Sequence, residues 1–301
     1  MRVGVIGLGD MGSGLAKNLI DAKFFTTGFD LSSARMKNFA ELGGEPASSV
    51  KKVALNSDVV FIMVMNGDQA RSIIFGSEGL VKHMKPGTTI ILTATIKPSE
   101  AHALGAMMQR TGINLIDSPV SGGFPGAQSG TLTLMAAGNK EALDKVEPAM
   151  NAVSKTIHRV GGIPGEGQTV KACLQSLIGS IFSATFEASV LAAKAGINGD
   201  VLLNVFSSSG AGCGITNTSL ENIIDRKFEG TGSHISTMHK DLSISLDLAQ
   251  NLGVPLHMAS TAMQLFHAGK TKYPEGDNWI VTKVIEEIVG TELHRKTDKD
   301  K

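Results

Sequence analysis

Residues 165–195, GEGQTVKACLQSLIGSIFSATFEASVLAAKA, constrain this chain more than any other stretch. After two opening glycines an apolar run continues without proline, and Lys171, Glu187 and Lys194 are its only charged side chains after Glu166. Read as one helix from Gln168, it would extend about 40 Å at 1.5 Å of rise per residue. A helix that is apolar on nearly every face belongs inside a protein. Gly179, Ser180, Ser183 and Ala184 are small, so another helix can approach closely there. Gln168, Lys171, Gln175 and Glu187 argue for a protein core over a bilayer, so no membrane partner is expected. The rod has more apolar surface than one small helical domain can cover, which predicts an oligomer joined along it, a homodimer or homotetramer. A lysine in the first turn of such a helix requires a chemical reason.

The chain before this rod carries a different pattern. Residues 3–6 are a short β-branched strand, followed by Gly7-Leu8-Gly9-Asp10-Met11-Gly12, a helical segment over 14–21, and a second strand over 24–29 ending at Asp30. In this context the first glycine permits a tight turn and the second lets a pyrophosphate approach the backbone. The third lets helix and strand pack closely, and the helix N-terminus faces the phosphates. Asp30 can accept both ribose hydroxyls of NAD and repels the extra phosphate of NADP. Leu31-Ser32-Ser33 supply no cation to cancel that repulsion, although Arg35 is close in sequence. Asp30 could equally cap the helical segment that starts at Ser32, and the two roles are compatible.

Strands and helices then alternate: strands over 59–65, 88–92 and 113–117, helices over 69–75 and 99–110. That alternation predicts a doubly wound parallel sheet with its cofactor crevice at the carboxyl ends of the strands. Met65, Asn66 and Thr93-Ala94-Thr95 end two of these strands and should border the nicotinamide. The loop SPVSGGFPGAQSGTL follows Asp117, and its Ser121-Gly122-Gly123 can present consecutive N–H groups and a hydroxyl to a carboxylate. A plain surface loop is the alternative. After a strand over 131–137, a helix over 140–153 and a last strand over 155–160, the glycines and proline of 161–165 mark a domain boundary. The sequence thus predicts an N-terminal Rossmann domain, 1–163, and a C-terminal all-α domain, 164–301, around the long helix. Short helices are expected over 201–207 and 219–225, longer ones over 238–250 and 258–268, and a closing one over 279–288. Residues 291–301 form a charged tail expected to be disordered.

Composition narrows the function classes. Basic and acidic residues number 28 each, so no charged field draws the chain to nucleic acid. The only cysteines, Cys173 and Cys213, do not make a disulfide framework, and Met1-Arg2 leads straight into VGVIGLG without a secretory pattern. A cytoplasmic location is expected. The histidines show no metal-ligand spacing, so no metal is expected.

Four segments, GLGDMGSGLAKNL, DSPVSGGFPGAQSGTL, GEGQTVKACLQ and HKDLSISLDLAQNLGV, together resemble the β-hydroxyacid dehydrogenase family, in order and over essentially the whole chain. The family includes 3-hydroxyisobutyrate, tartronate semialdehyde, L-threonate and succinic semialdehyde enzymes. The stretch IFGSEGLVKHMKPGTTI is most similar to L-threonate dehydrogenase-type members. The resemblance implies a Rossmann domain, an all-α domain and an oligomer built through the long helix. It implies NAD as cofactor, a small hydroxy acid as substrate, Lys171 as catalytic lysine and Ser121-Gly122-Gly123 as the carboxylate loop. It also implies Lys240 as a second lysine near the nicotinamide and Thr95 as a cofactor contact. Leu174 departs from the family's polar residue, while Gln175 keeps an amide for a substrate hydroxyl.

Burial and the helix dipole both lower a lysine's pKa, which would suit Lys171 to proton exchange near neutral pH. His239, beside Lys240, is the rival base. The expected reaction is oxidation of a short hydroxy acid, with Lys171 taking the hydroxyl proton. Gln175 lies one turn beyond Lys171 on the same helix face and can donate to one hydroxyl and accept from another. Reduction of a semialdehyde, or non-catalytic NAD(H) binding on the same fold, are the alternatives.

Overall fold

The computed structural model describes residues 1–295 and divides the chain into two compact units, Met1–Lys171 and Ala172–Lys301. In the first unit, strand β1 (Arg2–Ile6) leads into helix α1 (Asp10–Asp21), then β2 (Phe25–Phe29), α2 (Ser33–Glu41), β3 (Glu45–Pro46) and α3 (Val50–Asn56). Next come β4 (Val59–Ile62), α4 (Gly67–Phe75), α5 (Leu80–His83), β5 (Thr89–Leu92), α6 (Pro98–Met108) and β6 (Asn114–Asp117). The unit continues with β7 (Val120–Ser121), α7 (Gly123–Ser129), β8 (Leu132–Ala137), α8 (Lys140–Val153) and β9 (Ser154–Gly161). It takes in the first residues of α9 (Glu166–Lys194).

The strands form one sheet in the order β3-β2-β1-β4-β5-β6-β8-β7, with β9 on the free side of β8. From β3 to β6 every pairing is parallel, and β1 stands at the centre with β2 and β4 on either side. Alternation along the central strands explains the two layers. Val3 and Val5 of β1, with Val59 and Phe61 of β4, face one core with Leu15 and Leu19 of α1 and Val146 of α8. Ile6, Val60 and Ile62 face the other, with Ile74 of α4, Leu80 of α5 and Leu104 of α6. The central strands β1, β4 and β5 are buried on both faces and therefore read as continuous apolar sequence.

The expectation of an all-parallel sheet needs correction after β6. There β8 runs antiparallel to both β6 and β7, and only β9 restores a parallel pairing. The reason is the segment after Asp117, which is not an open loop. It makes a short strand and a helix, α7, and so returns the chain without a full crossover.

The second unit is helical: the rest of α9, then α10 (Gly199–Ser208), α11 (Gly214–Ile224), α12 (Ile235–Leu252), α13 (His257–Lys272) and α14 (Val281–Val289). Its core gathers on Phe182 and Phe186 of α9, which lie against Phe266 of α13 with ring centroids 6.1 and 6.2 Å from it. A fully buried phenylalanine such as Phe186 contributes about 1.5–3 kcal/mol of apolar transfer. Gly179 gives α12 its close approach, since a Cβ there would stand 2.6 Å from Leu242.

Within one chain the long helix leaves a line uncovered, as a rod with more apolar surface than one helical domain can cover should: Leu177 is 58% and Leu191 72% exposed, in line with the exposed Cys173 and Ala184. One expectation changes. The tail is anchored at its start, where Leu293 is buried and Arg295 pairs with Asp200 and Asp225. Residues 296–301 lie outside the described residues.

Candidate active site

The glycine motif sits where β1 ends and α1 begins. Gly7 adopts φ +88°, and a Cβ on Gly12 would stand 1.8 Å from the Gly7 carbonyl, so neither position admits a side chain. Gly9 caps α1, and Asp10 and Met11 open its first turn. The helix begins at the motif itself, earlier than the periodicity over 14–21 suggested. Leu8 puts its side chain into the core and donates its N–H to Asp30 Oδ2 at 2.7 Å. Asp30 Oδ1 accepts the N–H of Ser32 at 2.8 Å, while Ser32, not Asp30, caps α2. Arg35 brings its guanidinium 3.6 Å from Asp30 and beside the space above Gly9. The cation absent from 31–33 is therefore supplied one helical turn later. A glycine turn open to a pyrophosphate, with a carboxylate at the tip of β2, fits an NAD cofactor.

Met65 is exposed, and Asn66 caps α4 by accepting the N–H of Gln69 at 2.9 Å. Thr95 follows β5, between Ala94 and Ile96, both of which are buried. After Ser121, Gly122 and Gly123 take φ +126° and +58° in succession, a backbone path that only glycine follows without strain. That path opens α7, which lies on α1 because Gly14 lacks a Cβ that would meet the Ala127 carbonyl at 2.5 Å. Asn18 fixes the contact by donating to the carbonyls of Gly14 and Ala127 at 2.7 and 2.8 Å. Helix α1 and the 121–129 segment are thus braced against each other.

Lys171 is buried, 6% exposed, in the opening turns of α9. One turn earlier, the Gln168 amide donates to Asp117 Oδ1 at 2.7 Å and to the Ala94 carbonyl at 3.0 Å, and accepts the Ile96 N–H at 3.1 Å. Asp117, fully buried at the end of β6, accepts the N–H groups of Gly165 and Gln168 on Oδ2. Burial pushes its carboxyl up to about 6, against the opposing pull of those hydrogen bonds. Sequence reading passed over Asp117 and Gln168. The signal was a strand-terminal carboxylate and a glutamine inside a segment already singled out.

In the second unit, Gln175 is buried and donates to Asp241 Oδ2 at 2.6 Å. That bond uses one of the two amide N–H groups of Gln175 and leaves the second N–H and the carbonyl. Lys240 pairs with Asp241 Oδ1 at 2.8 Å. His239, the rival base, shares a hydrogen bond of 2.9 Å with His267, and burial, then Lys270 and His267, hold its pKa below the usual histidine value.

Comparison with known proteins matches this architecture end to end. Residues 2–162 match the NAD binding domain of 6-phosphogluconate dehydrogenase, and 165–285 the NAD-binding segment of NADP-dependent 3-hydroxyisobutyrate dehydrogenase. The chain is 33% identical to L-threonate dehydrogenase of Escherichia coli O6:H1 over 95% of each chain. It is also 33% identical to L-threonate dehydrogenase of Cupriavidus necator over 99% of each. A crystal structure of 3-hydroxyisobutyrate dehydrogenase from Salmonella typhimurium superposes with a TM-score of 0.87 at 32% identity, covering 94% of this chain and 99% of that one.

Proposed function

This chain belongs to the β-hydroxyacid dehydrogenase family of NAD-dependent oxidoreductases, and from that premise we propose that it oxidises a short, polyhydroxylated acid of the L-threonate kind, with Lys171 as general acid/base. The observation that carries the lysine's role is its burial in the opening turns of α9, inside the unit that holds the glycine turn, Thr95 and the Ser121-Gly122-Gly123 loop. Burial and the positive end of a helix both disfavour an ammonium ion, which suits a lysine that must give up its proton to react.

In this reading residues 1–163 bind NAD and 164–301 serve substrate binding and assembly. Backbone N–H groups of the turn from Gly9 to Gly12 hold the pyrophosphate, those of Gly7 and Leu8 being committed to Phe29 and Asp30, and Asp30 holds the adenosine ribose. Bound NAD supplies the hydride acceptor. The carboxylate loop at 121–123 orients the acid, and Lys171, neutral at that moment, takes the hydroxyl proton. In the reverse direction it returns that proton as an ammonium.

Gln175 favours a sugar acid over 3-hydroxyisobutyrate. One amide N–H is committed to Asp241, and the second N–H and the carbonyl can pair with hydroxyls of a sugar acid, whereas a methyl group would leave them unpaired. We infer further that two copies of the chain pair along α9, where Cys173, Leu177, Ala184 and Leu191 leave an apolar stripe exposed.

The test is a panel of three- and four-carbon hydroxy acids with NAD⁺, assayed on wild type, Lys171→Ala and Gln175→Leu. L-Threonate should give the highest kcat/KM. Lys171→Ala should lower kcat by about a hundredfold or more, the scale of a lost general base, while still binding NADH. Gln175→Leu should cost about 1–3 kcal/mol in kcat/KM on L-threonate and little on 3-hydroxyisobutyrate. Near-normal turnover by Lys171→Ala would move the base to Lys240 or His239. Equal losses on both acids would remove the sugar-acid reading.

A further inference from the structure

Gln168 holds together parts of the chain that are far apart in sequence. Its amide donates to the Ala94 carbonyl and accepts from the Ile96 N–H, so one side chain fixes the backbone on both sides of Thr95. Through Asp117 the same amide reaches the end of β6, three residues before the strand that ends at Ser121. Asp117 in turn takes two N–H groups at the mouth of α9, from Gly165 and Gln168, which no helical carbonyl can satisfy. The approach is close because glycine allows it. A Cβ on Gly167 would stand 2.5 Å from the Met135 carbonyl and 2.9 Å from that of Asp117, and one on Gly165 2.9 Å from that of Pro98.

We propose that Asp117 and Gln168 are positioning residues of the reaction, locking the turn of α9 that precedes Lys171 and the backbone around Thr95 into one register. The proposal rests on the hydroxy-acid reading above. An apolar pair of the same size would join these segments without burying a charge. A carboxylate and an amide cost more to bury, and in return they fix direction, because each bond has one acceptable donor and one acceptable acceptor. Lys171 lies three residues beyond Gln168, so a rotation of that turn would swing its amine away from the hydroxyl it must reach.

The experiment compares Gln168→Leu, Gln168→Glu, Asp117→Asn and the exchanged pair Asp117→Asn/Gln168→Glu in the full-length protein. In the exchanged pair an amide at position 117 can donate to a carboxylate at position 168, which restores that one bond but leaves the Ala94 carbonyl, an acceptor, facing a carboxylate oxygen. Each single variant should lower kcat for L-threonate oxidation by about tenfold or more, with NADH affinity by fluorescence titration within about twofold of wild type. The exchanged pair should recover part of the kcat that Gln168→Glu loses, since it restores the 117–168 bond and not the one to Ala94. Parallel loss of kcat and NADH affinity with no recovery in the exchange, or unchanged kcat in all the singles, would overturn the proposal.

Hydrogen exchange supplies a readout independent of turnover. In Gln168→Leu, peptides covering 93–97 and 165–172 should lose protection together while the 2–30 peptides keep theirs. Loss confined to one of those two segments would overturn the coupling. Should the wild type oxidise no hydroxy acid, the hydroxy-acid reading fails and the hydrogen-exchange result alone decides the coupling. If Gln168→Leu does not fold, Gln168→Glu, which keeps the length of the side chain, takes its place in both measurements.

Discussion

At the scale of single residues, charge and hydrogen-bond polarity decide most of what this site can do. Asp30 is the clearest case. A carboxylate at the tip of β2 was legible in the sequence, and so was Arg35, but their 3.6 Å approach was not, because it depends on how α2 leaves its Ser32 cap. Asp30 holds Leu8 at the tip of β2, so in the proposed reading one carboxylate would both shape the turn and select the cofactor. Wild type should prefer NAD to NADP. Asp30→Ala, which leaves Arg35 without its counter-charge, should narrow that preference by about tenfold, the scale of one charge-assisted hydrogen bond. Arg35→Ala should widen it, and kcat/KM ratios for the two dinucleotides measure both. A wild type that favours NADP would reverse the assignment. Gln175 shows the same logic from the other side. Its position one turn past Lys171 was legible, but only the fold put Asp241 against it and took up one of its two N–H groups.

At the scale of elements, periodicity located the long segments and missed the short ones. Helix α8 falls where its pattern put it, over 140–153, because a polar N-cap, Asn139, and a regular apolar face define both ends. Helix α7 was hidden inside a glycine-rich stretch that looked like a loop. It has few apolar residues and its close approach to α1 depends on Gly14, and neither leaves a periodic trace. Helix α9 was found by its apolar content, but content does not say which face is covered within one chain. The exposed line through Leu177 and Leu191 supports pairing of two copies, and Leu177→Glu should weaken it. Sedimentation of that variant should show dissociation at protein concentrations where wild type is associated. A wild type that sediments as a monomer at micromolar concentration would remove the inference.

At the scale of the whole molecule, pH tests the balance struck at Asp117. Its folded pKa, about 6, stands above the ordinary aspartate value of 3.8. Below 3.8 both folded and unfolded chains hold the proton. As pH rises toward 6 the unfolded chain releases it first, so stability from this group falls through that window by about 3 kcal/mol. Asp117→Asn carries no such proton. The Tm of the variant minus that of wild type should therefore rise between pH 4 and 6 and level off above, whatever its sign at the start. A flat difference would mean that Asp117 is not desolvated as the fold implies. The sequence by itself determined the alternating α/β half, the dinucleotide turn, the helical half and the lysine at the head of the long helix. These follow from local spacing: glycines where backbones touch, and apolar residues at the period of a strand or a helix. Only the tertiary structure decided the antiparallel return of β8, the pairing of Arg35 with Asp30, the Asp117–Gln168 link and the bond from Gln175 to Asp241. Each of those depends on how separate elements come to lie against one another, and hydrogen bonds between such elements carry no period in the sequence. They exist only once burial has brought the partners within reach and left each buried polar group in need of one.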